Sequence, residues 1–259
     1  MSVRKDRSPA RYGFDVVTQL VGSDFRLRYR QPLLGWFWAL AQPLTRFLVL
    51  TFLFTRVLPL DIPNYPAFLF AGILAWQWFA SSTSSATGAP LDHRHLLFRP
   101  GMPRFVVPLV SVFTDLVDFL VGLPILLVFV LFSGGIPGTI VYLPIVLAVQ
   151  GVLIVGLGYI TASVNVYLRD TKLFVDTIVG LLFYLTPVFY KPTSIPARFR
   201  PILELNPMAH IIRAHRAVLI EGRPPTSAGF ILTAVFAAVV FNVGTVVYAR
   251  MSPGFVDEL

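Results

Sequence analysis

Two aspartates and one arginine in otherwise apolar surroundings are the first candidates for chemistry. Asp115 and Asp118 stand at i and i+3 within the apolar run 104–132, so a helix there puts both carboxyls on one face. Arg46 falls near the middle of a second run, 33–58. A bare charge is costly there unless it meets a partner or water. Arg46 is therefore expected to face a conduit or to pair between helices, with Asp115 and Asp118 as candidate partners. The two carboxyls could instead share a proton, and a proton-driven transporter would use them as a relay. Asp92-His93-Arg94-His95, followed by Leu96, Leu97 and Phe98, reads as an amphipathic nub. Leu96 and Phe98 would anchor it in a groove of a partner, or the stretch is a solvated turn with two neutral histidines. Arg26, Arg28 and Arg30 form a third group. Guanidinium donates two parallel hydrogen bonds and so suits phosphate, although plain anchoring at a lipid surface uses the same residues.

Other chemistries are excluded by what the chain lacks. It has no cysteine and only four scattered histidines, so no metal site and no catalytic residue is expected. A phosphate-gripping loop needs Gly-Lys-Ser or Gly-Lys-Thr. The lysines are Lys5, Lys172 and Lys191, and none follows a glycine. No cofactor is expected in this chain. The formal charge of +8 fits orientation in a membrane and anionic headgroups better than nucleic acid in a chain this apolar.

The elements that must hold these residues are membrane helices. The 259 residues are 56% hydrophobic and only 13% charged, with a mean hydropathy of +0.73. Apolar blocks such as 123–132 and 145–157 are unbroken, as suits lipid rather than water. Spans are expected near 33–58, 66–86, 104–132, 139–168, 173–191 and 226–250. Alternating ten-residue segments of a membrane barrel are missing. Basic residues in the short loops put both termini in the cytoplasm. One loop disagrees: Lys191, Arg198, Arg200, Arg213, Arg216 and Arg223 fall on the expected outside. Before the first span, Phe14, Val17, Val21 and Phe25 recur at helical spacing, as in a helix lying in the headgroup layer. The first long apolar run begins too far along for a cleavable signal peptide. Three regions follow: a cytoplasmic N terminus with an interface helix (1–32), a six-span domain (33–250) and a cytoplasmic tail (251–259).

Several stretches carry a resemblance. Leu27-Arg28-Tyr29-Arg30-Gln31, with Leu34-Gly35-Trp36-Phe37-Trp38-Ala39-Leu40 and Gln42-Pro43, resembles the entry to the first span of type-2 permeases of ATP-binding-cassette exporters. The subgroup it is most similar to exports lipid-linked polysaccharides: O antigen, teichoic acid and galactan. Asn165-Val166-Tyr167-Leu168-Arg169-Asp170 resembles that family's fourth junction, on the cytoplasmic side. Leu185-Thr186-Pro187-Val188-Phe189-Tyr190, then Ile195-Pro196 and Leu205-Asn206-Pro207, resembles its fifth span and external segment. The match runs from about residue 14 to 250 with the six-span order intact.

The resemblance implies an all-α integral membrane fold: six transmembrane helices, an N-terminal amphipathic interface helix and two short external re-entrant helices between the last two spans. It implies a homodimer with two copies of a separate ATPase that binds ATP and Mg. ATPase coupling falls to Leu34, Gly35 and the nub Asp92, His93, Arg94, His95, Leu96 and Phe98. Arg26, Arg28 and Arg30 would attract the pyrophosphate of a lipid-linked glycan at the cytoplasmic face of the cell membrane. Spans one and five line the conduit in that family, which selects Trp38, Tyr184 and Tyr190 beside Arg46. Arg198, Asn206, Pro207 and Arg213 would form the external gate, with Asn206 capping its second helix. A drug or small-molecule exporter and a proton-coupled secondary transporter are the competing readings.

Overall fold

The computed structural model describes residues 18, 21–22, 32–98 and 102–258, with the side chains of 32–40 and 42 left out. Apart from Thr18, Val21 and Gly22, which are helical, the expected surface helix lies outside the described residues, and Arg26, Arg28 and Arg30 with it. Among those described, the chain is helical and contains no strand.

The order is α1 (Pro32–Phe52), α2 (Tyr65–Asp92), the four-residue α3 (Arg94–Leu97), α4 (Val106–Phe132), α5 (Leu143–Tyr167) and α6 (Thr171–Leu185). Then come α7 (Arg200–Glu204), α8 (Pro207–Arg216), α9 (Ala228–Met251) and a terminal turn, α10 (Phe255–Glu258). Segments Val106–Phe132, Gly138–Tyr167 and Ala228–Glu258 are long and apolar enough to cross a membrane by length and composition.

The other long helices have their own physical reasons. In α2, 19 of 28 residues are buried, because α1, α4, α5, α6 and α8 all pack on it. The chain's own helices surround most of it, which gives its Ser, Thr and Gln residues protein neighbours. Pro32 opens α1, where a missing N–H costs nothing, and Gly35 lies within the helix. The helix ends in a π turn, Leu53–Val57. The span expected at 173–191 is cut short: α6 stops at Leu185, and Thr186 is extended (ψ 138°). Pro187 follows it, and a residue before proline is driven out of the helical region.

The tightest packing is between α5 and α9. A Cβ added to Gly244 would stand 2.3 Å from the carbonyl oxygen of Gly156, and one added to Gly156 would stand 2.6 Å from the Phe241 nitrogen. The two helices therefore touch backbone to backbone, the means by which helices associate where lipid removes the hydrophobic drive. At the α4 entrance, Tyr159 on α5 and Tyr248 on α9 donate to the Phe105 and Arg104 carbonyls, each at 3.0 Å. Arg104 in turn donates to the Ser252 carbonyl. These contacts hold the segment after α3 against the bundle.

Candidate functional site: a polar groove and a buried arginine hub

A groove of about 930 Å³ runs between α1, α2 and α6. On α2, Gln77, Ser81, Ser84 and Ser85 recur at helical spacing along it. Thr45 and Arg46 come from α1, and Asp176, Thr177 and Tyr184 from α6. Arg46 Nη1 donates to Gln77 Oε1 at 3.0 Å. α1 thus presents Arg46 to α2 and α6 at the groove, with the Gln77 amide as its partner. Asp115 is buried within α4 and Asp118 half-buried. Tyr184 is 66% exposed at the groove. Tyr190 is not in the groove wall; it lies beyond α6 and its hydroxyl donates to the Tyr184 carbonyl at 3.3 Å. Trp38 lies on α1, as do Leu34 and Gly35, but their side chains are outside the described set.

The groove is bounded by apolar and aromatic surface. Phe183 and Trp76 stand in its wall, edge to face with centroids 5.9 Å apart. Hydroxyls and an amide beside aromatic planes suit a sugar, whose C–H faces rest on rings while its hydroxyls exchange hydrogen bonds.

At one end of the bundle the Asp92–Phe98 nub follows α2. Asp92, Arg94, His95 and Phe98 are exposed, and Phe98 is 50% so. His93 is half-buried. Leu96 and Leu97 are buried in the chain's own core. Leu96 is thus not an outward anchor; its packing holds the nub, and Phe98 alone remains as the apolar tip. Lys172 Nζ lies 3.8 Å from Asp92, a partly exposed pair worth little by itself. Asn165, in the junction before α6, does more: its Nδ2 donates to the Thr87 carbonyl at 3.0 Å and its Oδ1 accepts from the Lys172 backbone N–H at 3.1 Å. It therefore ties α5 to α2 and to the start of α6, next to the nub.

The α6–α9 connection carries the second centre. Asn206 caps α8 as expected, its Oδ1 accepting from Met208 N at 3.0 Å, while Nδ2 donates to Thr186 Oγ1 at 2.8 Å. Pro207 occupies the first turn. Arg213 pairs with Glu204 at 3.0 Å. Arg198 is exposed, its guanidinium 4.7 Å from the Phe199 ring centroid. Arg216 is buried. It donates from Nε to the Phe68 carbonyl (3.2 Å), from Nη1 to Pro187 (2.8 Å) and from Nη2 to Val188 (2.5 Å). Its Cζ lies 3.4 Å over the Phe68 ring, adding a cation–π attraction. Gly72 makes room: a Cβ there would meet Val188 O at 2.6 Å and Arg216 Nη2 at 2.7 Å. Burial pushes the Arg216 pKa down to about 9, partly offset by Glu221 and Tyr65, so it is cationic at neutral pH.

Next to it His215 Nε2 donates to Gln150 Oε1 at 2.9 Å, and Gln150 Nε2 donates to the Ala75 carbonyl at 2.8 Å. This chain runs from α8 through α5 to α2. Burial first, then the Arg216 charge, pushes the His215 pKa down to about 3, so His215 is neutral when folded. The unfolded chain takes up this proton below about pH 6.5 and the folded one does not. His215 thus contributes a loss of stability as pH falls from about 6.5 toward 3, up to a few kcal/mol. The melting midpoint of the detergent-purified chain should drop between pH 7.5 and 5, and the drop should shrink in His215→Gln. An equal drop in both removes His215 as the cause.

Sequence reasoning overlooked the groove's Gln77, Ser81, Ser84, Ser85 and Asp176, and the Arg216–His215–Gln150 set. The i, i+4, i+7, i+8 polar stripe of α2 was a readable signal. Arg216 was visible only as part of a misplaced charge count. Half of that count now has a physical account: Arg216 is held by carbonyls, Arg213 pairs through one nitrogen with Glu204, and Arg200 donates to the Ile195 and Thr193 carbonyls at 3.3 and 3.4 Å.

Comparison with known proteins agrees with this architecture. The chain is similar to the O-antigen export system permease protein RfbA of Klebsiella pneumoniae, 32% identical over 213 residues and 82% of each chain. The corresponding permease of Myxococcus xanthus is 31% identical over 247 residues, covering 94% of this chain and 95% of its own. The polysialic acid transport protein KpsM of Escherichia coli is 24% identical over 249 residues, 92% and 96% respectively. The family model for the ABC-2 type transporter matches residues 16–220, the stretch that holds both the groove and the arginine hub, and the chain belongs to that family.

Proposed function

We propose that the chain is the membrane subunit of an ATP-driven exporter that moves a lipid-linked polysaccharide outward across the cytoplasmic membrane, with both termini inside. The groove of α1, α2 and α6 is the observation that carries the reading. A wall holding Arg46, Gln77 and Asp176 is unstable against lipid, so it faces water or a second copy of the chain. Two copies would close two such grooves into one conduit. Exposed Leu48, Val49 and Phe52 of α1 and Leu173, Leu181 and Leu185 of α6 supply apolar surface beside it for that seam. The permease names of the relatives support O-antigen-like cargo. The power source is a separate ATPase holding ATP and Mg, since no lysine of this chain follows a glycine. It would dock at the Asp92–Phe98 nub. The external segment with Asn206, Pro207 and Arg213 would dip back and gate the outer end, and the intact cargo would enter beside Arg26, Arg28 and Arg30.

The absence of cysteine makes a direct test possible. Ser84→Cys places one thiol in the groove, and Val235→Cys places one on an exposed apolar face of α9 (58% exposed). In vesicles containing the permease and its partner ATPase, a bulky maleimide on Ser84→Cys should abolish ATP-dependent glycan transport, while the same label on Val235→Cys should not. Transport that survives complete labelling at residue 84, or that needs no ATPase, defeats the proposal. Transport that follows a proton gradient instead would favour the carboxylate relay.

A further inference from the structure

A second cavity, of about 530 Å³, shares no lining residue with the groove. It lies between the start of α2 and the α6–α9 connection. One part of its wall is apolar, with Ile62, Phe68, Pro187 and Ile220. The other is cationic. Lys191 and Arg213 reach it, and Arg216 lies behind the Phe68 ring. Lys191 is half-buried, and no hydrogen bond or ion pair joins its ammonium to any described residue. Arg213 gives one nitrogen, Nη2, to Glu204, which leaves donors of its fork unused. The Arg216 charge is met by carbonyl dipoles. The single carboxylate in the lining, Glu221, is drawn toward Arg223 at 4.0 Å. Positive charge in the wall thus exceeds negative. The wall also includes Asn64, the residue that precedes α2, whose dipole adds to the same sign.

A half-buried ammonium without a counter-ion, beside an aromatic and aliphatic wall, selects a ligand that is both anionic and greasy. A neutral lipid would leave the cations unanswered, and a free anion would leave Phe68 and Ile220 wet. Phosphate suits the Arg213 fork and the Lys191 point charge together. We infer that this pocket holds the phosphate of an anionic amphiphile, with the first carbons of its apolar stem against Phe68 and Ile220. The inference builds on the reading of the chain as a permease for a lipid-linked cargo. It adds a headgroup station at the α6–α9 connection, apart from the groove and from Arg26, Arg28 and Arg30.

The test uses the full chain purified with its partner ATPase in detergent, and three probes measured by microscale thermophoresis: farnesyl phosphate, farnesol and inorganic phosphate. Farnesyl phosphate should bind at least about tenfold more tightly than either of the others, as expected when a charged contact and an apolar contact each add about 1.4 kcal/mol. In Lys191→Gln with Arg213→Gln this advantage over farnesol should vanish. Lys191→Gln alone breaks no side-chain hydrogen bond or ion pair among the described residues, so its melting midpoint should match the parent while its affinity for farnesyl phosphate falls at least threefold. Less than tenfold preference over farnesol overturns the phosphate assignment, and equal binding of inorganic phosphate overturns the amphiphile. Unchanged affinity in the double variant, which keeps Arg26, Arg28 and Arg30, moves the site elsewhere. These outcomes are independent of the groove-labelling result, so a failed pocket and a failed exporter reading remain distinguishable.

Discussion

Replacing Arg216 with alanine is expected to destabilise the purified chain by about 4 kcal/mol, since each buried bond from a charged donor is worth roughly 1.5–3 kcal/mol and part of the loss is recovered by relaxation. It is also expected to abolish export. The reason is geometric. One guanidinium holds the Phe68, Pro187 and Val188 carbonyls at 3.2, 2.8 and 2.5 Å; the Phe68 carbonyl also lies within the α2 ladder, so removal strips the Pro187 and Val188 carbonyls of this donor where α2, the end of α6 and α8 meet. Arg216→Lys keeps the charge but presents a compact ammonium in place of a planar fork, and is expected to recover only part of the loss. The check is the melting midpoint in detergent together with ATP-dependent glycan transport in vesicles. A parental midpoint in Arg216→Ala would show that the three elements are held by other contacts.

The second large effect is expected at the α5–α9 crossing. Gly244→Leu should drive the helices apart and remove most of the monodisperse, detergent-extracted chain, because the added Cβ meets the Gly156 carbonyl at 2.3 Å. The obstacle is backbone, which cannot turn aside as a flexible side chain can. Overpacking of a close-packed interior costs about 1–3 kcal/mol even where side chains can yield, and here they cannot. Val243→Leu is the control: one residue away, but 48% exposed, it should leave the elution profile intact. Normal extraction of Gly244→Leu would mean that the two helices do not approach closely. Both substitutions act on packing, so neither depends on which glycan the chain carries.

Much of the architecture could be read without coordinates, because a membrane simplifies the physics. Lipid cannot satisfy backbone polar groups, so an apolar run of sufficient length becomes a helix regardless of its neighbours. Hence α4, α5 and α9 lie where the apolar runs at 104–132, 139–168 and 226–250 put them. Turn chemistry was legible for the same reason of locality where Asn206 and Pro207 start α8, whereas the expected span to 191 overran the stop that Thr186-Pro187 imposes on α6. Leu96 shows the limit. Its type and spacing suited an outward anchor, yet it is buried among the chain's own residues, because a leucine reads the same in sequence whether its neighbour is a partner or its own core.

What amino-acid order decided, then, was which segments are helices and that the longest apolar ones suit lipid, since each follows from local composition. Which polar residues meet was decided by the assembled bundle alone. Arg46 found Gln77, 31 residues away, and Arg216 found Phe68, 148 residues away. An arginine's long side chain carries the same charge wherever it points, and only helix rotation and crossing determine whether a carbonyl, an amide or a carboxylate comes within hydrogen-bonding reach of it.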